Sequence, residues 1–517
     1  MFVFAAELLL LGVLIIFLIY YIFLLPPTYP VNIPAVPFWV ALIPFFKDVD
    51  QSDIFREYIE QPLRTHGAVK LFFGAQWNIL VHKPSYLAEI FKDEDLYQKS
   101  GNQKKIPHSV LAEFLGDNII SSHGRVWKDY QQVVKPGLQR NFEAVKIANN
   151  ADRLCTLIRD AQLRAENGGV AVQELLQRYS VANCSEVVLQ TNLDALSSAN
   201  APINVLQSAV KREIFKPIFM NFPVLDRFPF PSRARARRMV NRFKQELKHA
   251  LTESQRHSHL LAPTASSFDG LGPRMLAAKE SGLWNEKQLL DNLTVAFVAG
   301  QENPQLCMIS TLYLLAKHSV RGLIVSEPSS DLQEWCVQDV QARMYEEIQG
   351  SALGDNGSLD LDVLQEMPFL TSVIYESLRL FPPIGQLVNR QASKNAILGG
   401  EIAIPKGMYI GYNCYSTNRD PNVWGPSADD FDPSRWGNSP VTIQKQYRQR
   451  RARAEFISFH GGRRACLGEK FAMLQMRVTL VALVRAFTWT LDPTWVDRKT
   501  PAGPLYPRAL KLVFAAR

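Results

Sequence analysis

The stretch FHGGRRACLG, residues 459–468, places one of the chain's six cysteines among paired glycines and paired arginines. Neighbouring cations and the positive end of a helix lower the pKa of a thiol. The strongly helical stretch EKFAMLQMRVTLVALVRAF, residues 469–487, predicts a helix that begins just after this turn. We therefore expect Cys466 to be a thiolate that ligates a metal, although an isolated cysteine is more often buried in a core.

The composition limits the classes of protein to consider. The 517 residues include 57 lysines and arginines against 49 acids, a net charge of +8, and 47% of the residues are hydrophobic. These values are ordinary for a large globular protein. The cysteines are scattered without a CxxC pair, which indicates a reducing compartment rather than a disulfide framework. The basic clusters lack a motif that reads nucleic acid, so we expect no nucleic-acid partner.

The N-terminal residues predict a membrane anchor. Leu8–Leu25 is an unbroken apolar run that is long enough to cross the hydrocarbon core of a bilayer. Glu7 is the only nearby charge, and neither a basic segment nor a small-residue cleavage site marks a cleaved signal peptide. We predict a single transmembrane helix within residues 1–25, a proline-rich spacer at 26–50, and a cytosolic remainder because basic residues follow the span.

Helical periodicity dominates the rest of the chain. The longest helical run extends from about Leu283 to Lys317, and extended segments stand at 68–74 and 401–413. We predict a mainly α fold with small β-sheets. Residues 206–248 hold aromatics and prolines followed by basic residues, which indicates either a loop with a solvated helix face or a surface that rests on membrane lipid.

The cysteine segment resembles the haem-binding loop of the cytochrome P450 family, F-x-x-G-x-R-x-C-x-G, at every fixed position. The resemblance implies the cytochrome P450 fold, with the Cys466 thiolate as the axial ligand of haem b. Thiolate ligation pushes electron density onto iron and favours O–O cleavage. The resemblance also implies that Arg464 pairs with a haem propionate and that Phe459 packs beside the sulfur. Gly462 and Gly468 let backbone N–H groups approach the sulfur.

Further motifs of the same family stand at matching positions. ESLR supplies Glu376 and Arg379, and FDPSRW adds Arg435. The resemblance implies that these three form a buried ion triad that braces the cysteine loop. Buried charges need their partners, so we expect the loss of any one of them to be severe.

The haem propionates have expected partners elsewhere in the chain. Trp127 matches the family tryptophan that donates to a propionate, and Arg390 matches another propionate partner. Gln131, however, stands where the family usually has an arginine. The resemblance therefore implies that the propionate pairing shifts, and we expect it to involve Lys128 or Lys135.

The long helix contains AGQENPQ, residues 299–305, where the family pattern is Ala-Gly-x-acid-Thr. Ala299, Gly300 and Glu302 match this pattern, and Asn303 replaces the threonine that helps to protonate bound dioxygen in the family. This departure places ordinary hydroxylation in question and is compatible with oxidative coupling of an activated aromatic compound.

Pro304 follows this replacement and lacks a backbone N–H. The Gly300 carbonyl therefore loses its helical partner, and we expect the helix to open there. The free carbonyl, the Asn303 amide and Glu302 are then expected to hold a water that relays protons. A simple helix kink without a catalytic role is the alternative.

Four segments, among them QKSGNQKKIPHS and GDNIIS, resemble the fungal, microsomal branch of the family that forms dityrosine. This resemblance implies oxidation of a small, aromatic, amino-acid-derived secondary metabolite with O2 and NADPH-derived electrons at the endoplasmic reticulum membrane. The electron donor is expected to be NADPH-cytochrome P450 reductase, with cytochrome b5 as a further partner. The basic stretch KQYRQRRAR, residues 445–453, is a candidate docking site for such an acidic flavoprotein. By analogy with the family, the substrate pocket is lined by Ile106, Phe297, Ile384 and Leu387.

Two other functions remain open at this point. The Asn303 replacement is also compatible with a reductase-independent haem-thiolate isomerase or peroxygenase, and a membrane-tethered haem binder without catalytic activity is the other alternative. Within the expected catalytic domain, 51–517, residues 319–338 contain extra sequence. Deleting 320–338 would restore an ordinary family junction, so we expect a surface insertion or a translated retained intron.

Overall fold

The computed structural model describes residues 2–74, 76–166, 168–261, 269–319, 339–351, 361–501 and 503–517. Helices dominate this part of the chain and the sheets are small, as the sequence predicts. The expected insertion at 320–338 lies outside the described residues.

The α-helices differ widely in length, and the longest is the one predicted in the second half of the chain. In chain order they are α1 Phe2–Ile19, α2 Ile43–Phe46, α3 Gln51–Ile54, α4 Glu60–His66, α5 Pro84–Lys92, α6 Asn102–Lys105, α7 Val110–Leu115, α8 Gly124–Gln139, α9 Ala144–Ala165, α10 Val172–Asn183, α11 Pro202–Ile214, α12 Pro217–Asn221, α13 Pro231–Leu261, α14 Leu271–Glu280, α15 Glu286–Lys317, α16 Val340–Gly350, α17 Leu361–Gln365, α18 Pro368–Leu380, α19 Cys414–Thr417, α20 Pro421–Trp424, α21 Pro440–Ala452 and α22 Glu469–Ala486. Short π-helical or 3₁₀ turns occupy Tyr20–Leu24, Phe38–Leu42, Phe55–Ile59, Cys184–Leu189, Pro223–Arg227, Pro433–Trp436 and Gly462–Arg464.

The long helix α15 confirms the predicted run and corrects one detail of it. A capping box starts the helix, in which the Asn285 side chain accepts from the Gln288 N–H at 2.9 Å and Gln288 Oε1 accepts from the Asn285 N–H at 2.8 Å. The helix then continues without interruption through Pro304 to Lys317. The expected opening is therefore wrong: tight packing of this buried helix retains helical backbone around the missing N–H.

Ten strands form three sheets among the described residues. They are β1 Ala68–Phe73, β2 Gln76–Val81, β3 Tyr97–Lys99, β4 Val170–Ala171, β5 Gln386–Ala392, β6 Ala396–Leu398, β7 Ile402–Ile404, β8 Tyr409–Asn413, β9 Phe487–Leu491 and β10 Lys511–Ala516. The main sheet has the order β1-β2-β8-β5-β3, the second β4-β10-β9, and β6 pairs with β7. Among the strand pairs of the described residues, only β2 and β8 are parallel. The sequence predicted β1 and the segment that carries β7 and β8.

Two details of the main sheet position the site. Strand β3 pairs with β5 so that Lys99 lies opposite Arg390. Between Val388 and Arg390 the register with β8 shifts, which leaves Asn389 as the extra residue of a β-bulge. Bulges re-aim side chains and occur often beside active sites.

The predicted anchor lies in α1 and the π-helical turn that follows it. Among the described residues, we find no helix with both the length and the apolar character that crossing a membrane requires.

A single lysine ties the proline-rich segment to the main sheet. The Lys70 ammonium donates to the carbonyl oxygens of Pro27 and Pro30, each at 3.0 Å. The backbone of Lys70 is also paired, since its carbonyl accepts from the Val36 N–H at 2.9 Å and its N–H donates to the Pro34 carbonyl at 2.8 Å. The lysine is 7% exposed, and burial lowers the pKa of its ammonium.

Candidate active site

A cavity of about 280 Å³ lies between α8, α15, β5 and the cysteine segment. Phe459, Arg464, Cys466 and Gly468 line one side of it. The facing helix α15 contributes Ala299, Gly300, Asn303, Pro304 and Cys307. Sequence segments more than 150 residues apart thus meet at one space, as the resemblance requires of them.

The cysteine segment forms a tight loop directly before α22. The Cys466 N–H donates to the Phe459 carbonyl at 3.0 Å and closes the loop. Gly462 has φ +65°, and a Cβ there would lie 2.1 Å from the Phe91 carbonyl oxygen, so only glycine fits. Gly468 has room for a Cβ, whose nearest neighbour would be the Cys466 Sγ at 3.9 Å.

Cys466 differs from the other cysteines of the described residues. Cys155, Cys184, Cys307 and Cys414 are buried, whereas the Cys466 side chain is open to the cavity. A small apolar side chain would ordinarily be packed in the core, as the other four are. Cys307 also borders the cavity but is only 3% exposed, so among the described cysteines it is Cys466 that the fold exposes to whatever fills the cavity.

Opposing effects act on the pKa of this thiol. Loss of water deep in the protein raises the pKa of Cys466 to about 11, although the N–H groups of Gly468 and Glu469 and the charge of Arg451 act in the opposite direction. In the protein without a bound metal, desolvation therefore outweighs the effect of the helix end on this thiol. Coordination to a metal deprotonates a thiol outright, so the anion forms together with the complex.

Arg464 faces a carboxylate rather than the sulfur. Its Nη1 lies 2.5 Å from Glu94 Oε1, and the other oxygen of Glu94 lies 2.9 Å from Arg390 Nη1. The Arg464 guanidinium is also 4.6 Å from the centre of the Trp127 ring. Arg464 and Trp127 line the cavity, whereas Arg390 lies behind it.

The two lysines expected to replace the family arginine lie away from the cavity. Lys128 and Lys135 are exposed on α8, and neither lines the cavity. Gln131 does line it, and so does the buried Lys99. A lysine within a polar stretch carries no sequence sign of burial, and only the pairing of β3 with β5 reveals Lys99 as a site residue.

The structure brings the three triad residues together. Arg379 binds Glu376 through two nitrogens, at 2.7 Å and 2.9 Å, and both side chains are fully buried. Arg435 Nε lies 3.3 Å from Glu376 Oε1. Arg379 also donates to the Asn418 carbonyl at 3.0 Å, and the Asn418 Oδ1 accepts from the Ile457 N–H at 3.0 Å. These hydrogen bonds link the triad to the segment that leads into the cysteine loop.

The residues of α15 that were expected to act on dioxygen divide into two groups. Ala299, Gly300 and Asn303 line the cavity, and the Asn303 amide donates to the Ala299 carbonyl at 3.3 Å. Glu302 is absent from the lining and pairs with Lys211. The structure does not bring the Glu302 carboxylate and the Asn303 amide to one water site.

The pocket residues expected by analogy also divide. Ile384 and Leu387 line the cavity. Phe297 is fully buried with its ring centre 5.9 Å from that of Phe243, and Ile106 is buried outside the lining. Both of these belong to the packed interior.

Sequence reasoning missed the polar lining of the cavity. Asn292 is fully buried, and its Oδ1 accepts from the Ile119 N–H at 2.9 Å. The bulged Asn389 is 7% exposed, and neither its Oδ1 nor its Nδ2 has a hydrogen-bond partner within the described residues. A bulge leaves no signature in a single sequence, so this residue could be found only from the strand register.

The residues present fit a haem with a thiolate ligand. An accessible thiol with two converging N–H groups lies at one side of the cavity, and the apolar helix face of α15 lies at the other. Buried cations, among them Lys99 without a partner for its ammonium in the described residues, lie at the edge where carboxylates would be held. Burial holds the pKa of Lys99 well below its usual range, so a positive charge at this place gains from an anionic ligand.

Comparisons with known proteins also indicate a haem-thiolate protein. The family model described as Cytochrome P450 matches residues 34–320 and 337–509. Cytochrome P450-DIT2 of Saccharomyces cerevisiae is 40% identical over 513 residues, which cover 98% of this chain and 99% of that protein. Cytochrome P450 monooxygenase xanG of Aspergillus fumigatus is 33% identical over 483 residues, which cover 91% of this chain and 85% of that protein.

A solved structure shares the fold. The heme domain of a cytochrome P450DA mutant superimposes with a TM-score of 0.68 at 17% identity, covering 88% of this chain and 92% of that chain. The loop geometry, the cavity beside it, the family match and the two relatives lead to one assignment. The chain belongs to the cytochrome P450 family of haem-thiolate monooxygenases.

Proposed function

We propose that this protein is a membrane-associated monooxygenase that oxidises a small, aromatic, amino-acid-derived compound by hydroxylation or oxidative coupling. The observation that carries the proposal is the cavity in which the open Cys466 thiol faces Asn303 across an apolar space. Haem, when bound through the thiolate, supplies dioxygen activation and O–O cleavage. The chain's own residues set the shape, polarity and proton supply of the space above it.

Asn303 changes the polar group that faces the reacting space. It offers an amide where the family has a hydroxyl, and it is held by the Ala299 carbonyl. An amide is a poorer proton donor than a hydroxyl that is relayed by water. Hydrogen abstraction from a phenol followed by radical coupling is compatible with this arrangement.

Asn389 supports a substrate that carries a polar group at one end. Both atoms of its amide lack partners within the described residues, and the residue lines the cavity beside Leu387 and Ile384. Buried amides left unpaired are costly, so a ligand with a donor and an acceptor gains from meeting it. An amino-acid-derived compound has such groups next to an apolar aromatic body.

Electrons are proposed to come from NADPH through a membrane-bound flavoprotein reductase, with cytochrome b5 as a further donor. Among the basic residues of 445–453, Arg450 and Arg451 are engaged with Glu455 and Glu469. Lys445, Arg448 and Arg453 are exposed. An exposed basic surface on the helix before the cysteine loop suits an acidic partner and would make its association salt-dependent.

Membrane association at the endoplasmic reticulum is proposed from the exposed apolar residues. Leu9 and Leu10 of α1 are 74% and 73% exposed, and Phe228 and Phe230 near the start of α13 are 54% and 43% exposed. Contiguous exposed apolar side chains favour a lipid surface. Carbonate extraction of membranes from expressing cells, with and without residues 1–25, tests this placement.

The extra segment is proposed to be an insertion or a translated retained intron. The family match ends at residue 320 and resumes at residue 337, which supports the proposal. Transcript sequencing distinguishes the two origins, because a routinely spliced messenger that retains these codons excludes the intron.

Two measurements test the function. Reduced protein under carbon monoxide is expected to show the red-shifted absorption band of thiolate ligation, and Cys466→Ser is expected to abolish it. Turnover of tyrosine-derived phenols with NADPH and a fungal reductase, followed by mass spectrometry, separates hydroxylated from coupled products. Normal thiolate spectra without product from any phenolic amino-acid derivative would contradict the proposed substrate class.

A reductase-independent peroxygenase is the second candidate, and Asn303 is the observation that favours it. Its signature is turnover with hydrogen peroxide that equals or exceeds turnover with NADPH and reductase. Faster turnover with the reductase would exclude it.

A further inference from the structure

A short segment between α7 and α8, with the sequence GDNII at 116–120, forms part of the cavity wall. Ile119 and Ile120 line the cavity, and Ile120 is 44% exposed. Residues 116–120 belong to no helix or strand, so no regular backbone ladder holds them in place. We call these five residues the wall segment. Its position must be set by side chains from elsewhere in the fold.

Two consecutive side chains of α15 accept hydrogen bonds from the wall segment. Asp291 Oδ2 accepts from the Asp117 N–H at 3.1 Å, and Asn292 Oδ1 accepts from the Ile119 N–H at 2.9 Å. Both acceptors are buried, at 2% and 0% exposed. Because the two N–H groups are two residues apart, the bonds fix both the height and the rotation of the wall segment against α15.

The Asp291 carboxylate is itself held from two other helices. Its Oδ1 lies 2.6 Å from the Lys244 ammonium of α13, and Lys244 also donates to the Glu113 carbonyl of α7 at 2.7 Å. Lys287 pairs with the same carboxylate from the exposed side of α15. A buried ion pair tolerates little displacement, because each charge needs its partner. The acceptor that the wall segment meets therefore has a fixed position.

The sequence of the wall segment fits this arrangement. Gly116 has φ +61°, and a Cβ there would lie 2.0 Å from Asp291 Cγ, so only glycine lets the carboxylate approach. Asn118 braces the turn from within, since its Oδ1 accepts from the Ile120 N–H at 2.9 Å and its Nδ2 donates to the Leu115 carbonyl at 3.1 Å. The motif thus combines a close approach, a braced turn and two isoleucines that face the cavity.

Arg464 contacts the wall segment on its carbonyl side. Its Nη2 donates to the carbonyl oxygens of Ile119 at 3.0 Å and Ile120 at 3.3 Å. The acceptors of α15 hold the N–H side of the same residues. Loss of an α15 acceptor therefore leaves the wall segment held on one side only, which loosens it locally without unfolding the protein.

We propose that Asp291 and Asn292 are positioning residues that keep the wall segment rigid, so that its two isoleucines limit the width of the ligand accepted beside α15. The proposal deepens the proposed function and rests on haem bound through Cys466. Discrimination by size requires an apolar wall that does not yield to a bulkier ligand. The two side chains act on the substrate through Ile119 and Ile120.

The variants separate positioning from charge. Asn292→Leu removes the acceptor of the Ile119 N–H without adding a charge, and Asn292→Asp keeps an acceptor oxygen of the same reach. The double variant Asp291→Asn/Lys244→Met removes both buried charges together, so neither is left unpaired.

An ion pair between the same two helices supplies the matched control. Lys248 of α13 pairs with Glu286 of α15, and their side chains are 30% and 44% exposed. The double variant Lys248→Met/Glu286→Gln removes this contact nearer the surface. Any general loosening of α13 against α15 appears in this control as well.

The experiment uses the full-length haem-loaded protein and two readouts. Deuterium exchange reports the N–H groups of the wall segment, and we expect it to be about tenfold faster in Asn292→Leu, as for one lost hydrogen bond. Titration with imidazole and with the bulkier phenylimidazole, followed by haem absorption, gives the ratio of their dissociation constants. We expect Asn292→Leu to change this ratio in favour of phenylimidazole by about threefold or more. Asn292→Asp and the control are expected to stay near the wild-type values.

Several outcomes would overturn the proposal. Unchanged exchange and an unchanged ratio in Asn292→Leu would show that other contacts hold the wall segment. Faster exchange with an unchanged ratio would show that the segment does not limit ligand width. An equal change in the Lys248→Met/Glu286→Gln control would show general loosening instead of positioning. If Asn292→Leu does not fold, Asp291→Asn/Lys244→Met carries the same test.

Failure of the proposed function gives a different result. Both imidazoles bind without turnover, so a wild-type protein that binds them and oxidises no phenol would contradict the substrate class alone. A wild-type protein that binds no haem would contradict the family function itself.

Discussion

The Glu302 carboxylate lies 3.1 Å from the Lys211 ammonium, and each side chain is about one-fifth exposed. The pair joins α15 to α11 outside the lining of the cavity. The acidic residue of the family pattern is therefore engaged in an interhelical contact, while its neighbour Asn303 faces the reacting space.

This division predicts unequal effects of two adjacent substitutions. We expect Glu302→Gln to change kcat by less than about fivefold, because a partly exposed ion pair contributes at most about 1 kcal/mol. Asn303→Ala is expected to reduce the fraction of NADPH that yields product, with Asn303→Thr as its matched variant. Product and NADPH are measured together. A loss of several hundredfold in Glu302→Gln would place that carboxylate in proton delivery.

The two glycines of the cysteine loop are expected to respond differently to alanine. Gly462→Ala places a Cβ 2.1 Å from the Phe91 carbonyl at φ +65°, so we expect little folded, haem-containing protein. Gly468→Ala meets nothing closer than 3.9 Å and is expected to fold with normal haem content. Haem content per protein and thermal unfolding measure both. Equal tolerance of the two would contradict the loop geometry.

Removal of a triad arginine is expected to be severe. Arg379→Met leaves the fully buried Glu376 carboxylate with only Arg435 and neutral donors. Breaking a buried pair in this way typically costs about 3–5 kcal/mol of unfolding free energy. Arg125→Met, at an exposed arginine of α8, is the control and is expected to change stability by about 0.5 kcal/mol or less. Chemical denaturation of purified protein measures the difference.

Glycine is required at position 300 by a neighbouring side chain rather than by its own backbone angle. A Cβ at this position would lie 2.8 Å from the Cys184 Sγ. We expect Gly300→Ala to cost about 1–3 kcal/mol of stability through overpacking. Adding Cys184→Ala is expected to recover most of this loss, because the sulfur is then gone. A double variant no more stable than Gly300→Ala would show that another contact limits the size of this residue.

The buried imidazole of His460 is expected to make the free energy of unfolding depend on pH. Burial, followed by the charges of Lys99, Arg390 and Arg451, lowers the pKa of His460 to about 3. The unfolded chain binds a proton near its ordinary pKa of about 6.5, so folding stability is lost as pH falls from there toward 3. The slope from this residue approaches about 1.4 kcal/mol per pH unit. His460→Gln is expected to reduce the slope of the unfolding free energy between pH 6 and pH 4, and an unchanged slope would contradict the assignment.

The sequence was a sufficient guide wherever the chemistry is local. Phe459, Cys466 and Gly468 act within one tight loop, so their spacing alone predicts their meeting. The start of α22 and the extent of α15 follow from helical periodicity and capping for the same reason.

The remaining site residues depend on relations that a single sequence does not encode. The role of Lys99 arises from its strand partner, and that of Asn389 from a bulge in the register. The pKa of Cys466 in the absence of a metal also depends on the whole fold, because loss of water outweighs the nearby N–H groups. Lys128 and Lys135 stand near Gln131 in the chain, but the fold places both on the exposed side of α8.

The ammonium of Lys70, seated among the carbonyl oxygens of the proline-rich segment, has a consequence for the whole molecule. Proline already limits rotation in that segment, and the lysine restricts it further by joining it to the main sheet. The direction in which the first helix leaves the main sheet is therefore set in part by a side chain of the sheet itself.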